Sequence, residues 1–424
     1  MLTRIVRPSP ELSAFLDQLG PALSEPQRQH LLRLADGLLV CEDTKTLAAL
    51  QRQFLDAPDA SNMADFLRQS PWSVTGLRDR LRRDQVNWAI EQAQRLGLPK
   101  VLYLNIDDSL GEKDKHTRHI EPVAWFHDHN ESTPQRPRYK NAFCYLECTL
   151  KVGDIVLTLD LRLYLRQQTV RRLNRDRAPK DRLRFHSKYR LARAMLEAVR
   201  PLLPKDWAVY VQFDSWYASE KLIRYILRQS WHVFCGLKSN RNLDNKPLNE
   251  WADAKWHQWY RTVRLTAADG RETTYWVREH CGRLNGIPKP VCVYLCKRHP
   301  RDKSPAYFMS TDLTRMAQKS LRGYRGRWSC EVVNFYAKTR LGLADFRVRS
   351  YEAVDKYVAV VLLAWAYVER RYAAERGDRV KTCGDVIRRH RDEHAAAWLR
   401  EAVQEAIREG AVEPVLQRFL RLPT

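Results

Sequence analysis

Residues 323–343, GYRGRWSCEVVNFYAKTRLGL, hold the pattern on which the reading of this chain turns. Tyr324, Arg327, Glu331 and Lys338 are spaced Y-(2)-R-(3)-E-(6)-K, at −7, −4, 0 and +7 relative to the glutamate. The spacing predicts one helix. Because a helix turns about 100° per residue, the four side chains fall within roughly 80° of one another. One helix face then carries a carboxylate, two cations and a phenol. A carboxylate suits a metal ion, and cations with a phenol suit a phosphate, so the face fits metal-assisted chemistry on a phosphodiester. Taken alone, a glutamate with an arginine four residues before it is a surface ion pair. The pattern gains weight from its surroundings.

The chain of 424 residues carries 73 Lys+Arg against 50 Asp+Glu, a net charge of +23. That excess is the footprint of a polyanion partner, and for a globular chain nucleic acid fits best. The length predicts two to three domains, and 44% hydrophobic residues with 13 Trp, 18 Tyr and 12 Phe supply a core. The opening MLTRIVRPSPELSAF lacks an apolar signal-peptide region. The nine cysteines follow no disulfide-like spacing, so reduced thiols and a cytoplasmic setting are expected. The longest apolar run, Tyr357 to Val368, is too short to span a bilayer and reads as a buried helix. Cys144-x3-Cys148 and Cys292-x3-Cys296 lie in alternating, strand-like stretches. Residues i and i+4 of a strand are about 13 Å apart, too far for one tetrahedral zinc. Both pairs read as buried hydrophobes.

Residues 1–95 show apolar positions at three- and four-residue spacing and are predicted all-helical, with Ser24 capping one helix near Pro26. They are expected to contact DNA, the other reading being a helical cap on a core. From Lys100 the pattern changes. VLYLNI is a continuous apolar run that ends in Asp107-Asp108, as a buried strand does when it delivers a polar residue to a site. A polar loop follows. NAFCYLECTLKV and DIVLTLDLRLYL then form a hairpin about Gly153-Asp154. Residues 162–200 hold thirteen Lys/Arg against three acids, and their later half reads as an amphipathic helix with cations outward. WAVYVQF is a second buried strand and ends in Asp214; SWYASEKLIRYILRQ reads as a helix and WHVFCGLK as a strand. Residues 241–307 read as a β-rich insertion with Trp251, Trp256, Trp259 and Trp276, which are packing residues or a stacking platform for an unpaired base. The Glu331 helix and a second helix occupy 308–375, and a helical region fills 376–424.

In open α/β sheets, sites form at the C-terminal ends of strands. Asp108 and Asp214 lie at two such ends, and with Glu331 they make three oxygen ligands on separate elements. Carboxylates without a neighbouring His or Cys set point to Mg²⁺ rather than zinc, two ions serving an in-line phosphoryl displacement, with Mn²⁺ as a substitute. Arg327 suits a bidentate phosphate contact, Lys338 a point charge, and Tyr324 a hydrogen bond or a stack.

These residues resemble the DDE transposases of bacterial insertion sequences, in the group whose third acid sits in Y-(2)-R-(3)-E-(6)-K. Arg327-Trp328, Ser310-Thr311-Asp312 and the FDSWY around Asp214 add to the likeness, which covers about residues 30–375. The resemblance implies an α/β, ribonuclease H-like catalytic core, a mixed sheet flanked by helices in two parts, 96–240 and 308–375. Between them lies the β insertion, with a helical domain before and helices after. It implies Asp108, Asp214 and Glu331 as the catalytic metal ligands, with Tyr324, Arg327 and Lys338 on the DNA near the cleaved end. The family shows Asp followed by Thr, and Asp108-Ser109 fits that position better than Asp107-Asp108. Adjacent strand residues point to opposite faces, so only one of the two serves. The partners implied are double-stranded DNA, as inverted-repeat ends and target, and a second copy of the chain in a nucleoid-associated homodimer. The other readings are a non-catalytic domesticated DNA-binding protein and a ribonuclease H-like nuclease that cuts without joining.

Overall fold

The change from helical to strand periodicity near Lys100 marks a real change of architecture in the computed structural model, which describes residues 4–57, 59–128, 131–133, 135–252, 259–266 and 271–420. The first five helices are α1 (Pro10–Leu19), α2 (Glu25–Val40), α3 (Leu47–Gln51), α4 (Ala60–Arg68) and α5 (Val74–Arg95). Capping residues start them where the sequence places them. Ser9 Oγ accepts from the Leu12 amide, and the Ser24 amide donates to the Gln27 side chain with Pro26 in the first turn. Next come β1 (Val101–Glu112), β2 (Ala124–His127), β3 (Tyr139–Val152), β4 (Ile155–Tyr164), α6 (Gln167–Leu173), α7 (Lys188–Val199), β5 (Ala208–Phe213), α8 (Glu220–Arg228) and β6 (His232–Leu237). The chain continues through β7 (Asn242–Leu243), β8 (Lys246–Pro247), α9 (Leu248–Trp251), β9 (Arg261–Thr266), β10 (Glu272–Gly282), β11 (Val291–Lys297) and β12 (Ala306–Ser310). It ends in α10 (Ala317–Arg325), α11 (Ser329–Thr339), α12 (Tyr351–Glu375), α13 (Cys383–Glu409) and α14 (Glu413–Leu420).

One mixed sheet runs β2-β3-β1-β5-β6-β12-β11-β10-β9, with β4 also paired to β3. The β1–β5 and β5–β6 pairs are parallel and the others antiparallel. This is the mixed sheet flanked by helices that a ribonuclease H-like core requires. Apart from the short β7–β8 pair, the stretch read as an insertion does not form a sheet of its own. Its strands β9–β12 extend the core sheet, because β12 pairs directly with β6. Asp269 and Gly270, which by residue type suit a turn between two strands of this stretch, and Trp256 lie outside the described residues.

VLYLNI is not the whole of its strand. Its parallel pairing with β5 stops at Asn105, opposite Gln212, but antiparallel pairing with β3 continues to Glu112. The two acids therefore sit mid-strand, where β1 loses one neighbour and keeps the other. Gly111 permits the extension: a Cβ there would come within 2.0 Å of the Phe143 ring directly across the ladder.

The Tyr357–Val368 run is the buried centre of α12. Around it pack Leu12 and Leu16 of α1, Leu31 and Leu38 of α2, Phe66 of α4, and Leu77 and Leu81 of α5. Residues 1–95 thus share a hydrophobic core with the second half of the chain. Two ion pairs also tie α5 to the rest of the chain: Arg78 with Asp355 of α12 at 2.8 Å and Arg82 with the fully buried Asp160 of β4 at 2.9 Å. Among the described residues no helix is long and apolar enough to cross a membrane.

Candidate active site

The parity of β1 decides which side chains meet. Asn105, Asp107 and Ser109 share one face, and each bonds to the segment that carries the Y-R-E-K pattern. Asn105 Nδ2 donates to Ser329 Oγ at 3.2 Å, Arg327 Nη1 to Asp107 Oδ2 at 2.5 Å, and Lys338 Nζ to Ser109 Oγ at 2.6 Å. Leu104, Ile106 and Asp108 share the other face, against α7. Asp108 accepts from Lys188 Nζ at 2.6 Å and from the Tyr217 hydroxyl at 2.6 Å.

Asp214 lies near Asp107. The last parallel pair is Asn105 with Gln212, so Asp107 and Asp214 each come two residues beyond the point where the two strands part, and Asp214 acts electrostatically on Asp107. Burial pushes the Asp107 carboxyl up to about 7, against the pull of Arg327 and with the help of Asp214 and Asp108. Burial also raises Asp214, opposed by the amides of Trp216 and Tyr217, which donate to its Oδ1 at 2.9 and 3.3 Å. Asp108 adds to that rise and Arg327 opposes it, so Asp214 closes a turn while lying near both acids of β1.

The helix expected through 324–338 is interrupted. Tyr324 ends α10, Gly326–Trp328 tighten to a 3-10 turn, and Glu331 and Lys338 ride on α11. Gly323 and Gly326 lower the local preference for a continuous α-helix. The break lets Arg327 reach β1. Tyr324 faces inward between Phe234 and Phe308, and its hydroxyl donates to the carbonyl of Phe213, the residue before Asp214. Its contact supports the strand end rather than meeting solvent. Glu331 is exposed, one helical turn beyond Arg327, and forms no ion pair among the described residues. Burial lowers Lys338, while Glu147 and Glu331 oppose that shift.

Glu147 was not among the acids singled out in the sequence. It lies directly across the ladder from Asp107, fully buried, and accepts from Asn334 Nδ2 of α11 at 3.0 Å. The signal was present: a lone acid inside the apolar strand AFCYLECTL is the kind of residue that burial singles out. Burial raises its carboxyl far above the usual range, with Asp107 adding to the effect and the Cys330 thiol opposing it.

The donor set fits a hard divalent cation. Asp107, Glu147 and Cys330 bring ligand atoms within 4.8 Å of one another, and Asp214 and Glu331 border the same face. Burial holds the Cys330 thiol well above its ordinary value, so it offers no thiolate and the useful ligands are oxygens. The raised Asp107 carboxyl is what burial produces when the guanidinium beside it does not offset the loss of water.

The remaining sequence candidates are placed as follows. Trp251 packs on His280 with ring centroids 4.3 Å apart, and Trp259 is exposed. Cys144, Cys148 and Cys296 are buried free thiols, in keeping with the hydrophobe reading. The expectation that every cysteine is a thiol is corrected at one place: Cys281 and Cys292, directly opposite across β10 and β11, are joined as a disulfide.

Residues 15–258 match the family model of the DDE superfamily endonucleases, and residues 187–367 match that of the transposase DDE domain. The first match spans more than half of the chain, which therefore belongs to the DDE superfamily endonucleases. A comparison with curated proteins finds no match. The chain is a nuclease of the DDE transposase kind, and its partner is DNA. The second match contains both Asp214 and Glu331, whereas the first begins within α1 and so takes in the N-terminal helices.

Proposed function

We propose that the chain is a cut-and-join transposase of the Y-(2)-R-(3)-E-(6)-K group, with Asp107, Asp214 and Glu331 as its catalytic acids. The carrying observation is the shared face. Asp107 and Asp214 lie two residues beyond the last parallel pair of β1 and β5, and the Arg327–Glu331–Lys338 segment covers the Asp107 face of β1. Asp107 takes the role that Asp-Ser spacing gave to Asp108, because Asp108 is turned to Lys188 and Tyr217. Asp108 then acts at one remove, holding α7 and the Asp214 turn against β1.

Mg²⁺, held by these carboxylates, would supply the charge that stabilises the attacking and leaving oxygens of a phosphodiester. The residues do the rest. Arg327 exchanges the Asp107 carboxylate for a phosphate and grips it through two N–H groups. Lys338 sets a second positive charge at Ser109, two residues further along β1. Asn334 and Ser329 keep α11 in register on β1 and β3 through Glu147 and Asn105. The net charge of +23 serves the rest of the DNA. Two copies acting on paired ends complete the proposed reaction.

The test is cleavage and joining of DNA bearing the ends of the element, with Mg²⁺. Wild type yields joined product, and Asp214→Ala yields neither nicked nor joined DNA while still binding the ends. Nicking without joining would support a plain nuclease, and full activity in the variant would remove the acids from the chemistry.

A further inference from the structure

The last fifty residues contain a feature that the DNA chemistry does not use. In RRHRDEHAAAW, His390 and His394 are spaced i,i+4 on α13, so they share one helix face. Both are buried, and both direct Nε2 at one oxygen of Asp36 on α2: Oδ1 lies 2.7 Å from His390 and 2.9 Å from His394. The three ligand atoms lie within 4.8 Å of one another. Asp36 Oδ2 accepts from the Ser9 amide at 2.9 Å, which fixes the carboxylate plane.

Two imidazoles and a carboxylate are the donor set of a borderline transition metal, unlike the all-oxygen set around Asp107. Asp36 is fully buried as well. Outer contacts are in place too. The Tyr367 hydroxyl lies 3.4 Å from His390 Nδ1 and can accept from it, which leaves Nε2 free to bind through its lone pair. His394 borders an open cavity of about 240 Å³, together with Ser9, Pro10, Glu393 and Arg400, so the cluster is approached from solvent on the His394 side.

We propose that Asp36, His390 and His394 form a binding site for one zinc-class dication, which clamps α13 to α2. Ligand atoms around a tetrahedral zinc are about 3.3 Å apart, so the two contacts need open by only about half an ångström. The clamp joins residues 354 positions apart in the sequence and ties the C-terminal helices to the N-terminal ones.

The test uses the full-length, untagged protein, loaded with Zn²⁺ or Co²⁺ and dialysed against metal-free buffer. Wild type should retain about one equivalent of zinc per chain, and cobalt should give the visible d–d bands of an imidazole-bound ion. Asp214→Ala should retain the same equivalent, which separates this site from the active site. His394→Gln, and the double variant His390→Gln/His394→Gln, should fall to background and lose the zinc-dependent rise in Tm. Should a variant fail to fold, the cobalt spectrum of wild type decides alone. Wild type without retained zinc and without cobalt bands overturns the proposal, leaving the three residues as a hydrogen-bonded clamp.

Discussion

Arg327 places Nη1 2.5 Å from Asp107 Oδ2, and the next residue, Asp108, turns its carboxylate to Lys188 on the opposite face of the same strand. Two neighbouring acids thus carry two different tasks. Asp107→Asn should reduce strand cleavage to background, a loss of three orders of magnitude or more on the scale of a removed catalytic group. Asp108→Asn keeps a partner for Tyr217 and should lose roughly tenfold to a hundredfold, of the order seen when a supporting partner is removed. Single-turnover cleavage rates of the two variants, measured side by side, check the order. The reverse ranking returns the first acid to Asp108.

Asn334 links two buried groups, accepting from the Tyr145 hydroxyl at 2.6 Å and donating to Glu147 at 3.0 Å. Asn334→Ala leaves both without that partner and should destabilise the chain by about 1–3 kcal/mol for each group left unpaired. Urea unfolding measures this. The same variant should lower kcat more than the affinity for DNA, because α11 loses its register on β3 while the basic surface is unchanged.

Glu369 gives a pH dependence. Its carboxylate is buried beneath β4, where it accepts from the Thr158 amide at 2.6 Å and the Thr158 hydroxyl at 2.8 Å, and burial pushes it up to about 8 from an ordinary 4.5. Between those values the unfolded chain has released the proton and the folded chain still holds it. Stability from this group is therefore full below about 4.5 and declines as pH rises toward 8, at no more than about 1.4 kcal/mol per pH unit. Glu369→Gln should flatten that slope between pH 5 and 8 in denaturant titrations. An unchanged slope assigns it to other groups.

Removal of residues 1–95 should leave a chain that does not fold. Leu31, Leu38, Phe66, Leu77 and Leu81 cover α12 in one continuous core, and their loss would expose its apolar surface. Soluble yield and circular dichroism of residues 96–424 check this. A cooperative unfolding transition in that fragment would mark the helices as a separable module.

Much of the core was legible because its signals are local. VLYLNI and WAVYVQF are continuous apolar runs, Gly153 turns the β3–β4 hairpin at a φ of +54°, and the Tyr357–Val368 run could only be buried. What the sequence obscured depends on pairing. Nothing in DSLGE says that β1 continues, since antiparallel pairing with β3 supplies the missing hydrogen bonds. The Asp-Ser resemblance favours Asp108, and the two faces of β1 can be compared only through α7 and α11, which pack on opposite sides of it. Glu147 and the Asp36–His390–His394 cluster were hidden for the same reason. Each becomes chemically meaningful only through a partner far along the chain. The continuity of β9–β12 with the core sheet likewise rests on one contact, β12 against β6.

The most direct measurement is the anomalous difference map of crystals grown with Mn²⁺ and a DNA end. Peaks bridging Asp107 and Asp214, within reach of Glu331 and on the Arg327 side of β1, are the expected result. Peaks on the Lys188 side at Asp108, or ordered DNA with no manganese between the acids, would contradict the assignment of this face as the catalytic one.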